Sequence, residues 1–287
     1  MEKRPVIKIL FITHNRPGYA RVSLERLCET VTENARVVVW DNASEPETVS
    51  IVKEYEAHPS VERVIYSPTN EKLWLPTNWF WGEYGDAGLL SKVDDDCLMP
   101  PRWCEVLSSA HAEVPEFGIL GCWRFLPEDF NPANAAKKIR CYGTHQVMRN
   151  CWIEGSGYLM KRAVLEKNGP LRAKESFTTW GLRAAAAGFV NGWYYPFLYQ
   201  EHMDDPRAEH TGIKTDEDFH SLAPLTARNF GITSRKAWEQ RLRNSAQKLQ
   251  MYSTNPYDFI GYWARLKRKA CGLMGLQYIP RAKATKN

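Results

Sequence analysis

Three apolar, β-branched runs in the first 66 residues constrain the fold most. Residues 6–12, 36–40 and 61–66 each read as a buried strand. Two stretches with helical spacing separate them. The first carries Val22, Leu24, Leu27, Cys28 and Val31; the second spans Glu47 to Tyr55. Strand, helix, strand, helix, strand predicts a parallel sheet with right-handed crossovers. The expected class is therefore α/β, a mostly parallel central sheet flanked by helices. In such sheets ligands gather at the carboxyl ends of the strands. Thr13-His14-Asn15-Arg16, Asp41-Asn42 and Ser67-Pro68-Thr69-Asn70 fall at those ends.

A fourth such end carries the densest chemistry. Ala87 to Val93 is a short, largely apolar run, and Asp94-Asp95-Asp96 follows it directly. Strand side chains alternate faces, so Asp94 and Asp96 are expected to converge while Asp95 points away. Paired carboxylates of this kind suit a hard cation, Mg²⁺ or Mn²⁺, that also takes substrate phosphates. The competing reading is a solvated acidic turn. No Gly-x-Gly-x-x-Gly or Gly-x-x-x-x-Gly-Lys loop is present, which removes the usual dinucleotide and phosphate-cradling fingerprints.

Further along, residues 117–125, 152–160 and 190–198 read as strands, with residues 126–138 as a polar loop between the first two. The glycines of Gly155-Ser156-Gly157 are expected to admit close backbone approach to a ligand. Arg102 to Ala112, Ala163 to Asn168 and Trp180 to Ala187 read as helices. The last strand ends in Glu201-His202-Met203-Asp204-Asp205. Beyond it, residues 235–251 and 257–276 are helical in pattern, basic and aromatic. The second can pack across the domain or lie on an anionic membrane surface. The division expected is 1–225 for a catalytic domain, with halves near 1–100 and 101–225, and 226–287 for a C-terminal helical extension.

Composition narrows the classes. At 287 residues a large core is affordable, and a net charge of +5 without a basic run in the main body does not call for nucleic acid. Seven cysteines, odd in number and without a Cys-x-x-Cys pair, predict reduced thiols rather than a disulfide framework or a zinc site. Neither a signal peptide nor a membrane-spanning run is read, so the expected place is cytoplasmic, with peripheral contact to the inner membrane face through the basic C-terminal helix. Eleven tryptophans serve either as sugar-stacking platforms or as core.

The order of these motifs resembles nucleotide-sugar glycosyltransferases of the GT-A fold, close to family 2. Thr13-His14-Asn15-Arg16 is similar to the family's opening segment, and Trp40-Asp41-Asn42-Ala43-Ser44 to its second strand end. Asp94-Asp95-Asp96 through Trp103 is similar to its Asp-x-Asp stretch and the helix start after it, and Gly155-Ser156-Gly157 to its small-residue strand. The likeness covers about residues 5–205.

The resemblance implies a transfer of sugar from a nucleotide-diphosphate sugar to a saccharide or lipid-linked hydroxyl, in polysaccharide, lipopolysaccharide or glycoconjugate assembly. It implies that Asp41 accepts a bond from the nucleobase, and that Thr13, Asn15, Arg16, Asn42, Asn70, Asp94 and Asp95 line the donor. Asp96 and His202 would hold Mn²⁺ or Mg²⁺. An inactive binding protein and a nucleotidyltransferase remain alternatives. One departure stands out: the family's acidic pair before the helix is replaced by Phe177-Thr178-Thr179. The acceptor-side base is then sought among Glu154, Glu175, Glu201, Asp204 and Asp205. Glu175 is chosen by position, with Asp205 beside it, and inverting and retaining outcomes both stay open.

Overall fold

Apolar, β-branched runs form one nine-stranded sheet in the computed structural model, which describes residues 5–282. Residues 1–4 and 283–287 lie outside the described residues. The first half runs β1 (Ile7–Thr13), α1 (Pro17–Thr30), β2 (Ala35–Asp41), α2 (Pro46–Glu54), β3 (Val61–Tyr66), α3 (Trp74–Tyr84) and β4 (Leu89–Asp94). Next come β5 (Cys97–Leu98), α4 (Trp103–Glu113), β6 (Phe117–Gly121), α5 (Pro132–Ala135), β7 (Ile139–Tyr142) and β8 (His145–Asn150). The chain continues through β9 (Tyr158–Lys161), α6 (Arg162–Asn168), α7 (Phe177–Ala186), β10 (Val190–Tyr195) and β11 (Glu201–His202). Four helices close it: α8 (Asp216–Leu222), α9 (Leu225–Asn229), α10 (Arg235–Met251) and α11 (Tyr262–Leu273).

The strand order is β3-β2-β1-β4-β9-β6-β10-β8-β7. Strands β3, β2, β1 and β4 pair in parallel, as do β6 and β10, while β9 and β8 run against their neighbours. The mostly parallel α/β class expected from the sequence is what forms.

Period-two alternation explains why both faces are covered. Ile7, Ile9 and Phe11 of β1 join Leu24, Leu27, Val37 and Val39 in one buried cluster. Leu10 and Ile12 point the other way, into a cluster with Val38, Phe80, Trp123 and Trp193. A parallel sheet buried on both faces reads as a near-continuous apolar run, and β1 does. The tryptophans serve mainly this core: Trp103, Trp123, Trp180 and Trp193 are fully buried. Helix α10 adds Trp238, Leu242, Ala246 and Leu249 to the second cluster, so the start of the expected extension packs onto the sheet's layers.

Two stretches differ from their sequence reading. Residues 139–150 form the hairpin β7–β8 at the sheet edge, and the expected loop before it contains a 3₁₀ turn (Pro127–Asp129) and α5. Residues 152–160 are not one strand, since β9 starts only at Tyr158. Gly157 does permit a close approach, but the neighbour is Gln200 rather than a ligand. Its φ is +70°, and a Cβ there would lie 1.5 Å from Gln200 Oε1. Its amide donates to Lys92 O at 2.8 Å and its carbonyl accepts from Cys122 N at 2.8 Å, so the backbone cannot shift freely. Gly157→Ala should therefore destabilise the fold by roughly 2–5 kcal/mol, adding left-handed strain to overpacking. Thermal unfolding measures this, and an unchanged Tm would show that Gln200 yields at no cost.

Candidate active site

The site is assembled from strand ends. Asn15, at φ 51°, turns the chain from β1 into α1, a left-handed conformation that Asn tolerates. Pro17 then opens α1 with its φ already set. Asn15 Oδ1 accepts from Glu45 N at 2.6 Å and its amide donates to Ser44 Oγ at 3.0 Å, joining the turns after β1 and β2. Asn42 extends the brace. Its side-chain amide donates to Asn70 Oδ1 at 2.9 Å and Glu71 O at 3.0 Å. Asn70 in turn meets His14 Nε2 at 2.8 Å.

Asp41 ends β2 at 2% exposure. Its Oδ2 accepts from Ser44 N at 3.2 Å, while Oδ1 is buried with no hydrogen-bond partner. Such an atom is costly unless something donates to it.

The acidic triplet is arranged differently from simple alternation. Strand β4 ends at Asp94 and the chain turns at once into the two-residue β5. Asp94 stays near Lys92, whose ammonium it binds, and its amide donates to Ser156 Oγ at 2.9 Å. Asp95 does not point away. It reaches back to β1, where Thr13 Oγ1 donates to it at 2.8 Å, and lies 3.6 Å from Arg16. Asp96 points to a third partner. Strand β11 pairs antiparallel with β5, setting His202 opposite Cys97. His202 Nε2 consequently lies 3.4 Å from Asp96 Oδ2, and Met203 N donates to Asp96 O at 2.8 Å.

Asp204 completes the group. It ion-pairs with Arg16, its carbonyl accepts from Trp238 Nε1 of α10 at 2.7 Å, and Arg16 stacks over Tyr19, 4.2 Å from the ring centre. One ligand atom each from Asp96, His202 and Asp204 lies within 4.8 Å of the others.

Four carboxylates, Asp94, Asp95, Asp96 and Asp204, thus surround the side chains of Lys92 and Arg16. Burial lifts the Asp95 carboxyl to about 7 despite Arg16. Burial also raises Asp94 and Asp204, against Lys92 and Arg16 respectively. For Asp96 burial acts upward too, but His202 and Arg16 outweigh it and hold the group well below the ordinary carboxylate range.

The expected acceptor-side bases lie elsewhere. Glu175 accepts from Arg183 Nε at 2.9 Å, Arg183 Nη2 at 2.8 Å and Arg172 N at 3.0 Å. Asp205 is clamped by Arg207 through Nε at 2.9 Å and Nη2 at 2.6 Å, and Arg207 also binds buried Asp129. Both carboxylates are ion-paired to arginines, Glu175 to Arg183 and Asp205 to Arg207. Glu154 differs. It accepts one bond, from Trp193 Nε1 at 3.0 Å, and precedes Gly155, whose carbonyl accepts from Lys92 Nζ at 3.1 Å. Lys92 and Ser156 escaped the sequence reading as site residues. The available signal was a lysine inside an otherwise apolar run ending in three aspartates.

Comparison with known proteins gives the family and the fold. The model of Glycosyl transferase family 2 matches residues 8–169, more than half of the chain. The chain belongs to that family and is a glycosyltransferase. It is 25% identical over 219 residues to EpsE of Bacillus subtilis (strain 168), itself a glycosyltransferase by assignment only, covering 71% of this chain and 75% of EpsE. Among solved structures it is similar to the mannosyltransferase PcManGT from Pyrobaculum calidifontis, in complex with GDP-Man and Mn²⁺. That match has a TM-score of 0.54 at 17% identity and covers 95% of this chain and 81% of the other. S. aureus TarS in complex with UDP-GlcNAc gives a TM-score of 0.51 at 17% identity, over 84% and 79% of the two chains. At these identities the structures establish the shared GT-A fold.

Proposed function

We propose that this glycosyltransferase moves a sugar from a nucleoside-diphosphate sugar to a saccharide or lipid-linked hydroxyl, of the kind used in polysaccharide, lipopolysaccharide or glycoconjugate assembly. We further propose that Asp96, His202 and Asp204 hold a divalent cation, Mn²⁺ or Mg²⁺. The observation that carries this reading is the convergence of those three ligand atoms from β5 and β11 segments within 4.8 Å. Two carboxylates and an imidazole fit such an ion, Mn²⁺ with more ease than Mg²⁺. When bound, the ion supplies positive charge against the diphosphate leaving group. Arg16 and Lys92 keep the acidic side chains oriented through their ion pairs, and Thr13 fixes Asp95.

On the nucleotide side, Asp41 Oδ1 is the acceptor for a nucleobase N–H, since it is buried with no partner of its own. Asn15, Asn42 and Asn70 shape the adjoining walls through the brace described above. Calorimetric titration of UDP and GDP into the protein and into Asp41→Ala tests this part. Affinity for the preferred nucleotide should fall by roughly 1.5–3 kcal/mol, the worth of a hydrogen bond to a charged group. Equal affinity in the two proteins would remove Asp41 from the nucleotide site.

On the acceptor side we assign the base to Glu154. It stands one residue from the carbonyl that Lys92 binds, and one hydrogen bond from Trp193 orients it. A carboxylate there leads to an inverting displacement.

A further inference from the structure

Helix α11 is turned inside out relative to an ordinary surface helix. Ala264 is its one buried residue and Cys271, seven positions on, is half-buried, so a single narrow edge meets the protein. At 3.6 residues per turn, Tyr262, Trp263, Leu266, Ala270, Leu273 and Met274 fall in one arc of about 120° away from that edge. Tyr262 is 69% exposed, Trp263 73% and Leu273 82%. The same spacing puts Lys269 on one border of the arc and Lys267 on the other, with Arg265 beyond Lys269. All three of these cations are exposed.

The helix is nonetheless held in place. Ser253 N donates to Pro280 O at 2.8 Å and Ala282 N to Met251 O at 2.8 Å, closing the neck of the excursion that carries it. Arg268 folds back to Phe259 O at 2.6 Å. At that neck, Ser253 and Asp258 line a cavity of about 250 Å³ with Lys137, Arg140 and Arg149, three cations against one carboxylate. Lys138 also borders it but is fully buried, its ammonium donating to Asn150 Oδ1 at 2.9 Å.

We propose that α11 is an in-plane anchor that seats the protein on an anionic lipid surface. A pinned helix with an outward apolar arc, aromatic residues at its start and lysines on both borders has the chemistry of the headgroup boundary. Among the described residues no helix is long and apolar enough to cross a membrane, so the contact is lateral. The proposal does not depend on the sugar-transfer mechanism.

The test is co-sedimentation with phosphatidylcholine vesicles made with and without phosphatidylglycerol. The full chain should pellet with the anionic vesicles, and release with added salt as surface charges are screened. The double variant Trp263→Glu, Leu273→Glu should lose at least about tenfold in vesicle affinity, given the apolar area withdrawn. Its Tm and its turnover of a soluble acceptor should be unchanged, because both side chains face solvent, and this separates a failed anchor from a failed enzyme. Equal pelleting of parent and variant overturns the proposal. So does a parent that ignores anionic vesicles, or one that light scattering shows to be a dimer which the variant dissolves into monomers.

Discussion

Asp96→Asn should lower sugar transfer by on the order of 10²–10³-fold, the range expected when one preorganised electrostatic stabiliser is removed. The substitution keeps shape and volume, so no cavity opens. It removes a negative charge from a donor set of three and leaves His202 and Asp204 to hold a cation alone. It also gives up the contacts with His202 and Arg16 that hold the ionised carboxylate. Tm should therefore fall while the fold is retained. The non-catalytic readout is Mn²⁺ binding followed by electron paramagnetic resonance, which should weaken in parallel with turnover. A variant that binds Mn²⁺ and transfers sugar like the parent would remove Asp96 from the metal site.

Glu154→Gln should reduce the transfer rate by about 10²–10⁴-fold, the usual worth of a positioned general base, with nucleotide affinity unchanged. The amide keeps an oxygen for Trp193 Nε1, so the loop should hold its shape. Glu175→Gln makes the contrast. That carboxylate receives both ends of the Arg183 guanidinium, and Arg183 also binds Asn168 O at 2.6 Å, tying α6 to α7. Removing its charge should lower Tm while leaving the rate within a few-fold of the parent. Burial acts to raise the Glu175 pKa, but Arg183 prevails and lowers it, so this stabilisation should fade as pH falls through the folded-state value. The reverse outcome, a rate collapse for Glu175→Gln and none for Glu154→Gln, would return the base to its family position.

These assignments show where the sequence was legible. Near-continuous apolar runs located β1, β2 and β4, because a parallel sheet buried on both faces demands them. The acidic triplet after Val93 marked the candidate site, because ligands gather where parallel strands end. His202 was legible from its place after the last strand, though the reason it reaches Asp96 is the two-residue pairing of β5 with β11, too short to leave a pattern. The alternation argument failed at Asp95 because the strand stops at Asp94. The β7–β8 hairpin was missed because its edge strands carry Arg140, Gln146 and Arg149 among few apolar residues. Glu175 was chosen by distance from a family position, and its ion-pair partner lies eight residues on, across a helix start no sequence rule would couple to it. Asp204 was a candidate for the base or the metal by its nearness to His202, and the fold sets it beside Asp96, held by Arg16 and Trp238 from opposite ends of the chain.

The central claim is most directly tested by incubating the purified protein with a panel of UDP- and GDP-sugars, with Mn²⁺, with Mg²⁺ and with chelator. The account predicts release of the nucleoside diphosphate from one donor, supported by Mn²⁺ or Mg²⁺, abolished by chelator and lost in Asp96→Asn. Turnover that persists undiminished in chelator, or release of pyrophosphate in place of the nucleoside diphosphate, would contradict it.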